Sequence, residues 1–310
     1  MTRQREHVNP YKSPTALRAA VTDRARQQSK LTGLPLSALR DRFYYQRLLA
    51  RIFLHEPNGW MLKGGQALLV RFPRARQSQD IDLYYRDAGA SSEAVSALRA
   101  AAALDLGDGF TFIVRTVTEL VGDKGAKVKV DVLAGTTDRL AVISIDLVAN
   151  LLPLGDPERF PLQPVLPADW LDDWPDIVLY PLSDHIADKV SAMYEVHPPG
   201  ETPSSRFRDL ADLLLIAQRE RPDALTTMAS IRSEQRRRTS HGSTVQLPST
   251  FSVPEQSTWA VGYPKAAAAV PALEGCADLG AAHPLADAFL TPLLDGTAQG
   301  RWDPEAGKWA

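Results

Sequence analysis

The sequence predicts an α+β protein built of two domains. Its 310 residues exceed what one compact core comfortably holds. Helical patterns are followed by several strand patterns in a run, instead of alternating one for one with them. Seven prolines between Pro153 and Pro181 then break any helix or central strand, and the patterns beyond them are helical. The expected division is a first domain at 1–152, a connection at 153–181 and a helical domain at 182–310. An apolar fraction of 44% and a charged fraction of 23% are those of a globular chain and argue against disorder.

In chain order, Ser13-Pro14 has the form of a helix N-cap followed by proline at the first helical position. That helix is expected to run to about Lys30 and to end near Gly33-Leu34-Pro35. Ser37 is placed to cap a second helix, Ala38 to His55, with Leu39, Phe43, Leu48, Ile52 and Phe53 on a broad apolar face. A turn at Pro57-Asn58-Gly59 leads to a short buried strand, Trp60 to Leu62, which runs into Lys63-Gly64-Gly65. A helix from Gln66 to Phe72 is stopped by Pro73. A strand at Asp80–Tyr85 and an alanine-rich helix, Ser92 to Leu104, follow. Val, Ile, Phe and Thr then mark three strands, Phe110–Val117, Lys127–Leu133 and Ala141–Ala149. Past the prolines, helices are expected from Ser183-Asp184 to about Val196 and from about Ser205 to Arg219. A basic cluster, Arg232, Arg236, Arg237 and Arg238, precedes a Ser/Pro-rich loop from Thr239 to Pro254.

Composition excludes several classes. The single cysteine, Cys276, provides neither a disulfide framework nor a cysteine-ligated zinc site, as in a reducing compartment. No apolar run approaches the roughly 20 residues that cross a bilayer, and Met1–Glu6 lacks the apolar stretch of a secretory signal. A cytoplasmic protein with no membrane partner is expected. Net charge is −2, but residues 1–76 carry 15 Lys/Arg against 4 Asp/Glu (+11) and the other 234 carry 20 against 33 (−13). Such asymmetry fits a polyanionic partner on one face, or basic helices packed beside acidic segments.

Four places carry chemistry. In Asp80-Ile81-Asp82-Leu83 the two carboxylates share one face of a strand. They repel unless a cation or donors stabilise them, and magnesium is the natural ion, a hard cation usually held together with phosphates. A solvated strand end is the alternative. In Val142-Ile143-Ser144-Ile145-Asp146-Leu147, Asp146 sits in a strand so apolar that an unpartnered burial costs several kcal/mol. It is either a third metal ligand or part of a wet edge. Lys127, Lys129 and Asp131 alternate with valines as a plain solvent face, and Asp131 is given no role. Gly64-Gly65, between strand and helix, allows close backbone approach and offers helix N–H groups to phosphate. Lys189 lies beside the core stripe Ile186, Val190 and Met193, where its stem can cover apolar surface. Asp209 and Asp212 share a helix face, and Arg208 can pair with Asp212 as a surface ion pair.

Taken in order, Lys63-Gly64-Gly65-Gln66-Ala67-Leu68, Arg76-x-Ser78-x-Asp80-Ile81-Asp82, Asp146, Asp188-Lys189 and Arg208-Asp209-Leu210-Ala211-Asp212-Leu213 resemble the signatures of the AbiEii family. These are the nucleotidyltransferase toxins of bacterial abortive-infection and toxin–antitoxin systems, the mycobacterial MenT toxins among them. The resemblance covers roughly residues 35–220, with a weaker likeness around Trp259 and Tyr263. It implies a DNA polymerase β-like nucleotidyltransferase fold, a mixed sheet with flanking helices, plus a C-terminal helical domain. It implies that Asp80 and Asp82 hold two magnesium ions and that Asp146 completes the metal site. Lys189 would contact the triphosphate, Asp212 would be the essential acid of the last motif, and Gly64, Gly65 and Ser78 would contact the nucleotide. The wider superfamily has Gly-Ser and a shorter gap before the acidic pair, whereas here Gln66 follows Gly65. The implied reaction adds nucleotides, CTP or another pyrimidine favoured, to the 3′ acceptor end of tRNA. Aminoacylation is then blocked until a cognate antitoxin relieves it. The basic helices before residue 76, with Arg236 to Arg238, would take the RNA backbone. A protein acceptor, or a non-catalytic RNA- or antitoxin-binding module, are the alternatives.

Overall fold

In the computed structural model, residues 9–86, 90–120, 125–148, 153–196 and 204–310 are described. The chain start, Met1–Glu6, and the expected strand end, Ala149, lie outside them. The chain divides into two compact units: Met1–Val70, Ser78–Leu151 and Glu158–Leu179 form one, and Arg71–Gln77, Leu152–Pro157 and Tyr180–Ala310 the other.

The first unit opens with helices α1 (Pro14–Thr32) and α2 (Leu36–His55). Ser13 caps α1 by accepting from the Ala16 N–H at 3.2 Å, and Gly33, at φ 72°, closes it in the left-handed conformation that glycine adopts without penalty. The chain continues through β1 (Trp60–Lys63), α3 (Gly64–Arg71), β2 (Asp80–Tyr85), α4 (Ser91–Ala102), β3 (Phe110–Glu119), β4 (Gly125–Ala134) and β5 (Asp138–Val148). Two short strands, β6 (Glu158–Pro161) and β7 (Asp176–Leu179), complete a seven-stranded sheet in the order β3-β4-β5-β2-β1-β7-β6. The sheet is mixed: β2 runs parallel to β5 and β1 to β7, and the other neighbours are antiparallel. This is the expected α+β class.

Three sequence expectations need correction. Helix α2 starts at Leu36 with Pro35 as its cap residue, and Ser37 makes no capping bond. The Pro35 carbonyl already accepts from the Leu39 N–H at 3.1 Å, so the helix begins a residue before Ser37. Second, the proline-rich stretch is not only a connection. It supplies β6 and β7, with Pro161 ending the outermost strand and Pro175 immediately before β7, the positions where a missing N–H costs least. Gln46 of α2 fastens this stretch, donating to the Gln163 carbonyl at 2.7 Å and accepting from the Val165 N–H at 2.9 Å.

The third correction concerns charge. Helix α2 is buried around its circumference from Arg42 to Phe53, and its basic residues do not form an external face. Arg47 and Arg51 are fully buried against an equally buried Asp108. Arg47 Nε donates to Asp108 Oδ2 at 2.8 Å, and Arg51 grips both oxygens at 2.7 and 3.0 Å while also donating to the Phe110 carbonyl at 2.9 Å. Burial pushes the Asp108 carboxyl up, but the hydrogen bond and charge of Arg51 and the charge of Arg47 outweigh it and hold the group below its ordinary range.

In the second unit, α5 (Leu182–Met193), β8 (Glu195–Val196), α6 (Phe207–Arg219), α7 (Ala224–Ser240), β9 (Thr244–Val245), α8 (Gln256–Ala268), α9 (Leu279–Asp295), β10 (Trp302–Asp303) and β11 (Lys308–Trp309) follow in order. Helix α6 is its axis, buried from Asp209 to Ala217. Trp302 Nε1 donates to the Ala217 carbonyl at 2.6 Å, and Trp259 stands edge-on to Phe207 with centroids 5.0 Å apart. The expected loop after α7 holds β9, which pairs with β8. Among the described residues no helix is long and apolar enough to cross a membrane.

Asp108→Ala leaves two buried guanidinium groups without their counter-charge and should lower the unfolding free energy in urea by about 3–5 kcal/mol. Arg221→Ala, which removes an exposed ion pair to Asp303, should cost under about 1 kcal/mol. Because the folded-state pKa of Asp108 is depressed, its contribution is complete at neutral pH. It fades only as pH falls below the unfolded carboxylate value of about 4. The stability difference between wild type and Asp108→Ala should therefore shrink in acid and stay flat from pH 6 to 8, as urea titrations at each pH would read.

Candidate active site

The parallel pairing of β2 with β5 builds the site. Its register sets Asp82 opposite Asp146 and Asp80 opposite Ser144. On the other face Ile81, Leu83, Ile143, Ile145 and Leu147 are no more than 1% exposed, so the apolar alternation fixes which way the carboxylates point. Asp82 and Asp146 stand abreast on strands about 4.8 Å apart, and Asp80 shares their face two residues away. Asp80 is exposed, while Asp82 and Asp146 are half-buried. Among the described residues no ion pair engages Asp80 or Asp146. The row continues outward with Lys63 of β1 opposite Asp82 and Lys127 of β4 opposite Asp146.

This donor set fits a hard divalent ion: carboxylate oxygens on one face, two of them outside any ion pair among the described residues. Asp80, Asp82 and Asp146 are the residues that would hold it. Among the described residues no three acidic, histidine or cysteine groups are already drawn together into a coordination shell.

Gly64 ends β1 and opens α3 at φ +61°, and a Cβ there would lie 1.8 Å from Asp82 Oδ2. Only glycine lets the carboxylate sit against this turn, at the positive end of the α3 dipole. The group facing the Gly64 backbone is thus Asp82. Gly65 is buried in the first turn of α3. Gln66, at the position where the wider superfamily has serine, donates from Nε2 to the Ser78 carbonyl at 3.0 Å, and Ser78 Oγ donates to the Asp80 carbonyl at 3.3 Å. Tyr45 donates its hydroxyl proton to the Gln79 carbonyl at 2.8 Å. Its pKa is pushed to about 12, first by burial and then by the charges of Asp41 and Asp80, so it remains a donor at physiological pH.

Lys189 and Asp212 belong to the second unit, where they meet in a buried ion cluster. Lys189 Nζ donates to Asp212 Oδ2 at 2.6 Å and Asp209 Oδ1 at 3.0 Å. Arg76 grips Asp212 bidentately, Nε at 3.0 Å and Nη2 at 2.9 Å. Asp212 is 0% exposed, which overturns the surface-pair alternative with Arg208. The Lys189 ammonium is likewise inside and not in water. Burial acts to lower its pKa, but the charges of Asp212 and Asp209 win and hold it above the usual lysine value. Sequence reasoning missed Arg76 as the partner because 136 residues separate it from Asp212. The signal was an acidic residue interrupting the otherwise apolar run Leu210–Ala217.

Two other assignments change. Asp131 is buried, 6% exposed, between Arg115 at 2.9 Å and Arg139 at 3.3 Å, and is no part of a solvent face. In the basic cluster, Arg237 and Arg238 both bind Glu234 at 2.6 Å, and Arg238 also binds Glu195 at 2.5 Å, while Arg232 and Arg236 are exposed.

Gly64→Ala should force Asp82 off the turn. The expected result is a loss of about 1–2 kcal/mol in urea unfolding, from the strained φ, together with weakened divalent-ion binding in calorimetry. Asp212→Ala leaves Lys189 and Arg76 buried without their shared acid and should cost about 3–5 kcal/mol. In the double variant Lys189→Met/Asp212→Leu, the loss should be clearly less than the sum of the singles, as unfolding of all three variants would read.

Residues 47–289 match the family model described as nucleotidyl transferase AbiEii toxin, Type IV TA system. Among solved structures, the chain is similar to the nucleotidyltransferase toxin MenT4 from Mycobacterium tuberculosis H37Rv, with a TM-score of 0.54 at 16% identity over 83% of this chain and 89% of that one. A fainter likeness, TM-score 0.40 at 14% identity, covers 67% of the chain and 78% of JHP933 from Helicobacter pylori. No curated protein matches the sequence. The family match spans well over half the chain, and the first of these structures has the same fold: the chain belongs to the AbiEii family of nucleotidyltransferase toxins.

Proposed function

We propose that this toxin transfers a nucleoside monophosphate from an NTP, CTP favoured, to the 3′ end of tRNA, in a magnesium-dependent reaction that blocks aminoacylation until a cognate antitoxin intervenes. The observation that carries the reading is the register that sets Asp82 beside Asp146, with Asp80 on the same face and in no ion pair among the described residues. Asp80, Asp82 and Asp146 would hold two magnesium ions. Bound there, they would neutralise phosphate charge and make the acceptor hydroxyl a better nucleophile.

In the reaction the acceptor 3′ oxygen forms a bond to the α-phosphorus. The bond from that phosphorus to the bridging oxygen breaks, pyrophosphate leaves with the electron pair, and the hydroxyl proton passes to water. The N–H groups at the start of α3, at Gly64 and Gly65, and the Ser78 hydroxyl would orient the nucleotide. Lys189 spends two ammonium protons on Asp209 and Asp212, and its third would be the one to contact the triphosphate. Asp212 and Arg76 fix the direction of that ammonium.

The test is incubation with total bacterial RNA, magnesium and each α-labelled NTP in turn, beside Asp80→Ala. Label should enter tRNA-sized RNA from CTP, and Asp80→Ala should cut it by about 100-fold or more. Chelation with EDTA should abolish it. Label on a polypeptide in place of RNA, or no label from any NTP, would refute the proposal.

A further inference from the structure

The polar face of the sheet carries a second set of groups that the reaction above leaves unused. Lys127 and Lys129 of β4 are both exposed and alternate with the buried Val128 and Val130. The β4–β5 register sets Lys127 opposite Asp146 and Lys129 opposite Ser144, and Lys129 Nζ donates to Ser144 Oγ at 2.5 Å. Among the described residues Lys127 makes no ion pair, although an aspartate stands across from it. On the far side of the lysines, β3 sets Thr118 opposite Lys127 and Thr116 opposite Lys129, both exposed.

The threonines face this way because of a β-bulge. The register shifts between Val114 and Thr116, so Arg115 is an extra residue; were it paired regularly with Lys129, Thr116 and Thr118 would fall on the valine face. Arg115 in turn binds Asp131 at 2.9 Å, which neutralises the one acid on this stretch of the lysine face of β4. What remains is a strip of two cations and two hydroxyls beside Asp146. The Gly64 turn lies on the opposite side of the carboxylates, against Asp82.

We infer that Lys127 and Lys129, with Thr116 and Thr118, form a track for the backbone phosphates of the acceptor RNA strand. The inference rests on the proposed transfer reaction and adds the path by which the acceptor reaches Asp146. Lysines two residues apart on a strand are about 7 Å apart. That suits successive backbone phosphates, each separated by a whole sugar. The phosphorus atoms of a triphosphate share single bridging oxygens and would crowd onto one rung. Lysine is a compact point charge suited to phosphate without base reading, so the track positions the acceptor and does not select its sequence.

The test uses the full chain and a short, fluorescein-labelled single-stranded RNA whose 3′ hydroxyl is blocked, so that binding is read without turnover. Anisotropy titrations between about 50 and 200 mM KCl should give a Kd roughly tenfold higher for Lys127→Gln/Lys129→Gln than for wild type. The slope of log Kd against log salt should fall by about 1.4, two single-strand phosphate contacts. Lys127→Arg/Lys129→Arg should bind as wild type, and CTP affinity and the thermal midpoint should be unchanged in both. A wild-type Kd and slope in the Gln variant, a loss of CTP affinity with RNA binding intact, or no RNA binding by the wild-type chain would each overturn the track. If the Gln variant loses RNA binding while the wild type transfers no label to RNA, the track stands and the transfer reaction falls.

Discussion

The candidate active site depends on the parallel pairing of β2 with β5. A parallel pair cannot be closed by a tight turn, so the chain between them must cross over. Here it does so through α4 and the β3–β4 pair, and β4 returns to the far side of β5. Side chains alternate along both strands, so a slip of one residue would bury Asp80, Asp82 and Asp146 and expose Ile81, Leu83 and Ile145. The apolar face therefore holds two carboxylates abreast, an arrangement that like-charge repulsion disfavours. Flanking Lys63 and Lys127 offset part of the repulsion, and a bound cation would relieve the rest. The local rule is broken where the chemistry is expected.

Two buried ion clusters organise the chain, one within each unit. Arg47 and Arg51 with Asp108 tie α2 to the start of β3. Lys189, Asp209, Asp212 and Arg76 tie α5 and α6 to the Arg71–Gln77 segment of the same unit. Buried pairs of this kind add little net stability compared with apolar residues, but losing one partner is costly. Their effect is to fix geometry. Both explain why α2 and α6 are buried around most of their circumference and yet carry charges.

Much of this was legible in the sequence because it is written in local periodicity. The alternation in Asp80-Ile81-Asp82-Leu83 and in Ile143-Ser144-Ile145-Asp146 set the carboxylate face of each strand, and the pairing of the two strands made those faces one. Ser13-Pro14 and Gly33 bounded α1 for equally local reasons. What escaped was set by distant partners. Asp212, Asp131 and Arg237 all looked like surface charges until Arg76, Arg115 with Arg139, and Glu234 were found beside them. The basic character of residues 1–76 suggested an outer face, yet Arg42, Arg47 and Arg51 point inward to a carbonyl or to Asp108. Strands β6 and β7 are four residues each and flanked by prolines, too short for any period to appear.

The central claim is that Asp80, Asp82 and Asp146 form one divalent-ion site, and manganese binding tests it most directly. Free manganese would be followed by electron paramagnetic resonance as it is titrated into wild-type chain and into Asp82→Asn and Asp146→Asn. The account predicts saturable binding by the wild type in the presence of a non-hydrolysable CTP analogue, and its loss in both variants although they lie 64 residues apart in the sequence. Undiminished binding in either variant would show that the two strands do not share an ion, and would contradict it.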